Sequence, residues 1–162
     1  MHVSSSELRA QRPNAIAAVF WGGMIAGVLD LTYVVTFVTL KGLKPIVVPQ
    51  AIASGLFGLK SFEGGIRTAI IGVALEFLIT FVATAVYWLA SRELAFLTER
   101  AVLLGLFYGV AIYFFMNFIV VPLSAAPHFE HTRLPVTCDF IVHMIFIGLP
   151  MALAVRRYST RG

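Results

Sequence analysis

One stretch of the chain, residues 68–90, constrains the fold more than any other. It reads TAIIGVALEFLITFVATAVYWLA and contains one charged residue, Glu76. At about 1.5 Å per residue, a helix of this length reaches about 34 Å, which is enough to cross a bilayer core of about 30 Å. Lipid on most sides explains why such a helix is apolar on nearly every face. The stretch therefore predicts a membrane-spanning helix.

The composition of the whole chain agrees with a membrane protein. Of the 162 residues, 59% are hydrophobic and 12% are charged, whereas soluble domains carry about 25% charged residues. The net charge of +4 does not indicate nucleic-acid binding, because the basic residues flank apolar runs and form no single patch. The single cysteine, Cys138, excludes an intrachain disulfide and CxxC chemistry.

Three further apolar runs complete a four-span pattern. We predict spans at about 16–40, 68–90, 101–123 and 135–155, all within one membrane domain of residues 16–157. Residues 1–15 and 158–162 are then short tails. Arginine is more frequent on the side that holds both termini, which predicts that both are cytoplasmic. The expected fold is an all-α, integral membrane four-helix bundle surrounded by membrane lipids.

The connection between the first two spans, residues 41–67, predicts an additional short helix. Pro45 and Pro49 prevent the first span from continuing. Ile52, Leu56 and Leu59 then follow at helical spacing. Such a helix can lie at the membrane interface, or it can re-enter the membrane where protein buries it. We favour the interfacial position.

The two halves of the chain share a pattern. The first span of each half has two glycines four residues apart, at Gly23 and Gly27 and at Gly105 and Gly109. This spacing lets two helices approach closely. The second span of each half carries an ionisable residue, Glu76 or His143. We interpret the halves as two parallel helical-hairpin repeats, with common helical-hairpin composition as the alternative explanation.

Five polar residues lie inside the predicted spans at similar heights. Counting from the outer end of each span at about 1.5 Å per residue gives depths of about 15 Å for Asp30, about 12 Å for Glu76, about 10 Å for Asn117 and His143, and about 5–6 Å for Asp139. Asp139 and His143 are four residues apart and share a helix face. If the helices form a bundle, these groups meet near its centre.

These residues support two different interpretations. The first is a polar intramembrane site for a small solute, an ion or a proton, in which Asp30 and Glu76 share protons and His143 titrates near neutrality. The second is a structural hydrogen-bond cluster that holds the helices together. Asn117 suits the second role, and Asp139 suits a helix start, where negative charge is favourable.

The functional hypotheses follow from this site. We expect a small transport or channel-type protein, with a homo-oligomer interface as one place for a pathway. The first alternative is a non-catalytic accessory subunit of a larger membrane complex. The second is an enzyme acting on a lipid or quinone, with Asp30, Glu76 and His143 as acid–base groups. The sequence contains no P-loop, GxSxG or dinucleotide-binding motif, so an enzyme is the less favoured reading.

Metal and cofactor sites receive little support from the sequence. His128, Glu130 and His131 form a compact HFEH group that could supply metal ligands. Their spacing matches neither a helical HExxH site nor a zinc finger, so we expect a surface loop. A bis-histidine haem would need a second membrane histidine opposite His143, and the spans contain none. We therefore expect no cofactor.

Three segments carry a resemblance to a known group of proteins. They are GMIAGVLD at residues 23–30, MNFIVVPLSAAP at 116–127 and HMIFIGLPMALAVRR at 143–157. Together they resemble small bacterial four-span membrane proteins and, more distantly, the YagU-like inner-membrane proteins. The resemblance covers about residues 18–157 and implies four spans in a bacterial inner membrane. It implies no substrate and no catalytic residue.

Overall fold

The structure, a computed structural model, describes residues 14–127 and 136–159. Within these residues it contains helices and turns and no β-strand. The helices are α1 (Ala15–Leu40), α2 (Val47–Phe57) with a 3-10 segment (Gly58–Phe62), α3 (Gly65–Glu93), α4 (Phe96–Glu99), α5 (Ala101–Leu123), and α6, which comprises Val136–Val142, His143–Gly148 and Leu149–Ser159.

Four of these helices are long and apolar enough to cross a membrane, judged by length and composition. They are α1, α3, α5 and α6, so the chain is an all-α, multi-pass membrane protein built as a four-helix bundle, as predicted. Helix α3 extends about one turn beyond the predicted span at each end. Arg67 and Arg92 occupy those end turns, where long basic side chains can reach the headgroup layer.

Hydroxyl groups on the second half of α1 bond to the helix itself. Thr32, Thr36 and Thr39 each donate a hydrogen bond to the carbonyl four residues earlier, at 2.6, 2.6 and 2.7 Å. A polar side chain bonded in this way presents no unsatisfied donor to lipid. This explains how α1 tolerates three threonines in an apolar span.

The predicted close approaches of α1 are present. A Cβ atom on Gly27 would lie 2.9 Å from Cε1 of Phe77, and a Cβ on Gly23 would overlap the ring of Phe81. Both rings belong to α3, so the paired glycines of α1 accept the aromatic side chains of the next span. In this contact, a glycine face on one helix is matched by large residues on the other.

The second glycine pair packs differently, against the backbone of α6. A Cβ on Gly109 would overlap the carbonyl oxygen of His143, and a Cβ on Gly148 would overlap the backbone of Gly105. Helices α5 and α6 therefore approach closely because three glycines meet. The contacted part of α6, His143–Gly148, is a π-helical segment, and such segments are often found at functional sites.

One end of the bundle, here called the termini end, is tightly packed. The N–H of Asn14, before α1, donates to the carbonyl of Tyr158 near the end of α6, at 3.0 Å. Small and apolar side chains from four helices form the core beside this contact. Its fully or almost fully buried members are Ala18, Tyr87, Ala101, Ala152 and Val155.

Helix α2 packs on the opposite end, here called the α2 end. A Cβ on Gly72 of α3 would overlap the carbonyl of Pro49, so α2 and α3 are in backbone contact. Gln50 Nε2 donates to the carbonyl of Gly65 at 3.1 Å. The carbonyl of Gly55 accepts a hydrogen bond from the N–H of Ala125 at 3.0 Å, beyond the end of α5. The short helix predicted after the first span is therefore present, and its interfacial position stays a prediction.

Candidate functional site

A cavity of about 1010 Å³ opens at the α2 end of the bundle. Helices α1, α2 and α3 supply most of its wall, and α5 and α6 complete it. On α1, Gly23 and Gly27 approach α3 closely, and the residues that line the cavity begin at Asp30. Asp30, Leu31 and Val34 line the cavity and are larger than glycine, so they do not permit the close approach seen at the two glycines.

Glu76 is the most buried charged group of this cavity. Its side chain lines the cavity, yet the residue is only 9% exposed. No described residue donates a hydrogen bond to its carboxylate. Glu76 is placed inward by its position on α3, because Gly72 and Thr80, one turn before and after it, lie on the same buried face.

Asp30 reaches the same cavity from α1. It is partly buried and lines the wall close to Glu76. Its carboxylate lies within electrostatic range of His143 and Asp139 on α6 and of Glu76 on α3. As with Glu76, no described residue donates a hydrogen bond to it. Three different helices thus bring ionisable side chains to one region.

His143 and Asp139 form a pair on α6. The Nδ1–H of His143 donates to the backbone carbonyl of Asp139 at 2.9 Å, and Nδ1 lies 3.3 Å from Oδ1 of the Asp139 carboxylate. The ring of Tyr113 meets the imidazole edge to face, with centroids 5.3 Å apart. These contacts orient the imidazole and assign its hydrogen to Nδ1. Asp139 also lines the cavity, which makes it the contribution of α6 to the wall.

Asn117 does not join this group. Its side chain is exposed, it does not line the cavity, and its Nδ2 donates to the carbonyl of Tyr113 on the same helix at 3.0 Å. Counting residues along the span predicts how far Asn117 lies from the membrane surface. It does not predict toward which side of the helix the side chain points. Asn117 lies in a π-helical segment, Met116–Val120, and a π turn contains more residues than an α turn, so α-helical periodicity does not give side-chain directions there.

The predicted HFEH group, His128, Glu130 and His131, lies outside the described residues. Within residues 14–127 and 136–159, no three His, Cys, Asp or Glu side chains are arranged to hold a metal ion.

Sequence reasoning did not identify the part that α2 plays in the cavity. Val48, Ala51, Ile52 and Gly55 of α2 line the wall, and Glu63 follows them at the end of the 3-10 segment. The available signal was the helical spacing of these residues, which indicates one face of α2 directed at the bundle. Together with Glu76, this face of α2 would have predicted a cavity that α2 covers.

The two carboxylates without a described donor determine what the cavity can do chemically. Glu76 and Asp30 are carboxylates in a largely apolar cavity, and both lack a described donor. A carboxylate buried away from water is costly unless it takes up a proton or meets a positive charge. The cavity can therefore accept a proton or a positively charged group next to these two side chains.

Comparisons of the chain with protein-family models, with curated proteins and with solved structures find no match. The resemblance to small bacterial four-span proteins and to YagU-like proteins stays a prediction.

Proposed function

We propose that this chain is a small membrane transport protein whose cargo-binding site is the cavity at the α2 end. The observation that carries the proposal is Glu76, a carboxylate that is 9% exposed, faces a cavity of about 1010 Å³ and has no described hydrogen-bond donor. A purely structural acid would be expected to bond another helix. Glu76 instead faces a space that can hold a ligand.

The packing favours a carrier over an open pore. The cavity opens at the α2 end, whereas the core around Tyr87 and Val155 fills the bundle at the termini end. A cargo next to Glu76 therefore has a route to one side of the bundle in this conformation. Transport then requires a second conformation in which the contacts between α1, α3 and α6 at the termini end separate, as in alternating access.

The direction of the cavity follows from the predicted topology. With both termini cytoplasmic, the α2 end faces the outer side of the membrane, and the structure corresponds to an outward-open carrier. The basic residues near the membrane surfaces support this orientation as a proposal, since positive charge is enriched on cytoplasmic segments. The bacterial inner membrane belongs to the same proposal.

Proton flux in reconstituted liposomes tests the proposal. Liposomes that contain a pH-sensitive dye and the wild-type chain are expected to respond to an imposed cation or proton gradient. Glu76→Gln should abolish the response, because it removes the charge in the cavity. Glu93→Gln, the same change at the exposed end of α3, should leave the response intact and serves as the control.

Other results would favour the alternatives. Equal flux for wild-type and Glu76→Gln liposomes would contradict a transport role for the cavity. Absence of flux, together with a stable partner that co-purifies with the chain, would favour an accessory subunit. A lipid or quinone bound beside His143 would favour the enzyme hypothesis.

A further inference from the structure

The walls of the cavity restrict the class of ligand. Most of the lining side chains are aliphatic, with Leu31, Val34, Ile52, Leu75 and Ile79 representative of three helices. A strongly hydrated ion or a sugar would lose its water in this space and find few polar partners in return. An apolar molecule would lose little hydration and would gain contact with the walls.

The charges of the cavity restrict the ligand further. Asp30, Glu63, Glu76 and Asp139 line it, and no lysine, arginine or histidine does among the described lining residues. Asp139 already contacts His143 at 3.3 Å. The two carboxylates without a described donor, Glu76 and Asp30, therefore define the part of the cavity that attracts positive charge. An anionic ligand would be repelled there.

The size of the cavity points to an organic molecule. Its volume of about 1010 Å³ lies at the upper end of the range of roughly 300–1,000 Å³ that is typical of sites for drug-sized ligands. An inorganic cation would fill a small fraction of this space. The described acidic side chains are also not grouped as the ligands of one metal ion.

We propose that the cavity binds a hydrophobic organic cation, with its positive centre beside Glu76 and Asp30 and its apolar body against α1, α2 and α3. This inference rests on the proposed function, since it names the class of cargo for the same site. The two kinds of lining residue then have different roles. The carboxylates select a positively charged ligand, and the aliphatic walls select a molecule with little hydration.

A pair of probes with the same shape and opposite charge tests this inference. Tetraphenylphosphonium is a hydrophobic cation, and tetraphenylborate is an anion of matched geometry. Equilibrium dialysis of the purified full chain in detergent micelles is expected to show saturable binding of the cation and no saturable binding of the anion. Empty micelles give the background from partition into detergent.

Variants locate the binding. Glu76→Gln should weaken tetraphenylphosphonium binding at least about tenfold, whereas Glu93→Gln should bind as the wild type does. Ile52→Trp fills part of the cavity from α2 without removing a carboxylate, and it should also weaken binding. This second variant keeps the test decisive if Glu76→Gln fails to fold. Equal binding of both probes, or cation binding that neither cavity substitution changes, would overturn the inference.

The dialysis and the liposome experiment fail independently. Binding of tetraphenylphosphonium that depends on Glu76, without flux that depends on Glu76 in liposomes to which tetraphenylphosphonium is added, would support the ligand class and overturn the transport role. Flux that depends on Glu76, without tetraphenylphosphonium binding, would support transport and overturn the ligand class.

Discussion

The same helices are packed in opposite ways at the two ends of the bundle. At the termini end, α1, α3 and α6 touch through small residues, so that a Cβ on Gly22 would lie 2.6 Å from Cγ2 of Thr84 and 3.4 Å from Cα of Met151. At the α2 end, α1 and α3 border a cavity of about 1010 Å³. The difference lies in the residues that face the neighbouring helix, because glycine and alanine permit close approach and Asp30, Leu31 and Val34 do not.

Buried polar groups occur at both ends, and they differ in charge and in what they face. Toward the termini end, Thr84 donates to the carbonyl of Thr80 at 2.7 Å, Tyr87 to that of Leu97 at 3.0 Å, and Tyr108 to that of Ala83 at 2.7 Å. Two buried neutral atoms at this end, Trp88 Nε1 and Ser159 Oγ, have no partner among the described residues. At the α2 end, Glu76 has no described donor. Glu76 is thus distinguished by its charge and by the cavity that it faces, whereas these polar groups of the termini end are neutral and packed among side chains.

The largest effect is expected from disrupting the close approach of α5 and α6. Gly148→Val places a branched side chain against the backbone of Gly105 and Gly109. Because the backbone cannot move aside easily, we expect a loss of about 3 kcal/mol in the free energy of unfolding, seen as a lower melting temperature in detergent. Gly55→Ala is the control, since its new Cβ would lie 3.8 Å from Cβ of Ser124 in ordinary contact. Equal melting temperatures for the two variants would contradict the described packing.

A pair of truncations compares the two ends directly. Met151 is fully buried in the packed half, whereas Ile79 borders the cavity. Met151→Ala should cost about 2–3 kcal/mol in the free energy of unfolding, because it leaves a void. Ile79→Ala should cost less than about 1 kcal/mol, because its side chain already borders open space. Denaturation of both variants in the same detergent measures the difference, and equal costs would argue that the cavity collapses.

Glu76→Gln is expected to leave the fold at least as stable as the wild type. The substitution removes a buried carboxylate without a described donor, so we expect a gain of up to about 1 kcal/mol in the free energy of unfolding. Thermal melting of this variant beside Glu93→Gln provides the measurement. Marked destabilisation by Glu76→Gln alone would show that the carboxylate holds the helices together, which is the structural interpretation of the cluster.

The smallest expected effect concerns one interhelical hydrogen bond. Tyr108→Phe removes the hydroxyl that donates to the carbonyl of Ala83 at 2.7 Å. Such bonds between membrane helices contribute about 0.6 kcal/mol on average, so a small drop in the melting temperature is expected with no change in proton flux. A loss of flux in this variant would show that the packed half takes part in binding.

The sequence was sufficient for the four spans and for contacts that follow from spacing along one helix. Apolar length and the lone Glu76 predicted α3, the spacing of glycines predicted the close approach of α1, and the interval of four predicted the contact of Asp139 with His143. Each of these inferences depends on periodicity along one helix, which a sequence displays directly.

Features that depend on rotation or on contacts between distant segments were not predictable in this way. Asn117 is exposed and does not line the cavity, and it lies in a π-helical segment of α5, where side-chain directions depart from α-helical periodicity. The packing of Pro49 on Gly72, which brings α2 onto the cavity, joins residues from two elements. The sequence shows a glycine at position 72, but it does not show that Pro49 packs against it.

Cysteine labelling tests the central claim, an open α2 end and a closed termini end, most directly. The exposed Cys138 is first replaced by Cys138→Ser. In that background, Ile79→Cys lies in the cavity wall near Glu76, and Thr84→Cys lies in the packed half. A water-soluble maleimide is expected to label the Ile79→Cys variant and to leave the folded Thr84→Cys variant unmodified. Labelling of neither position, or equal labelling of both, would contradict a water-accessible cavity that ends at the packed core.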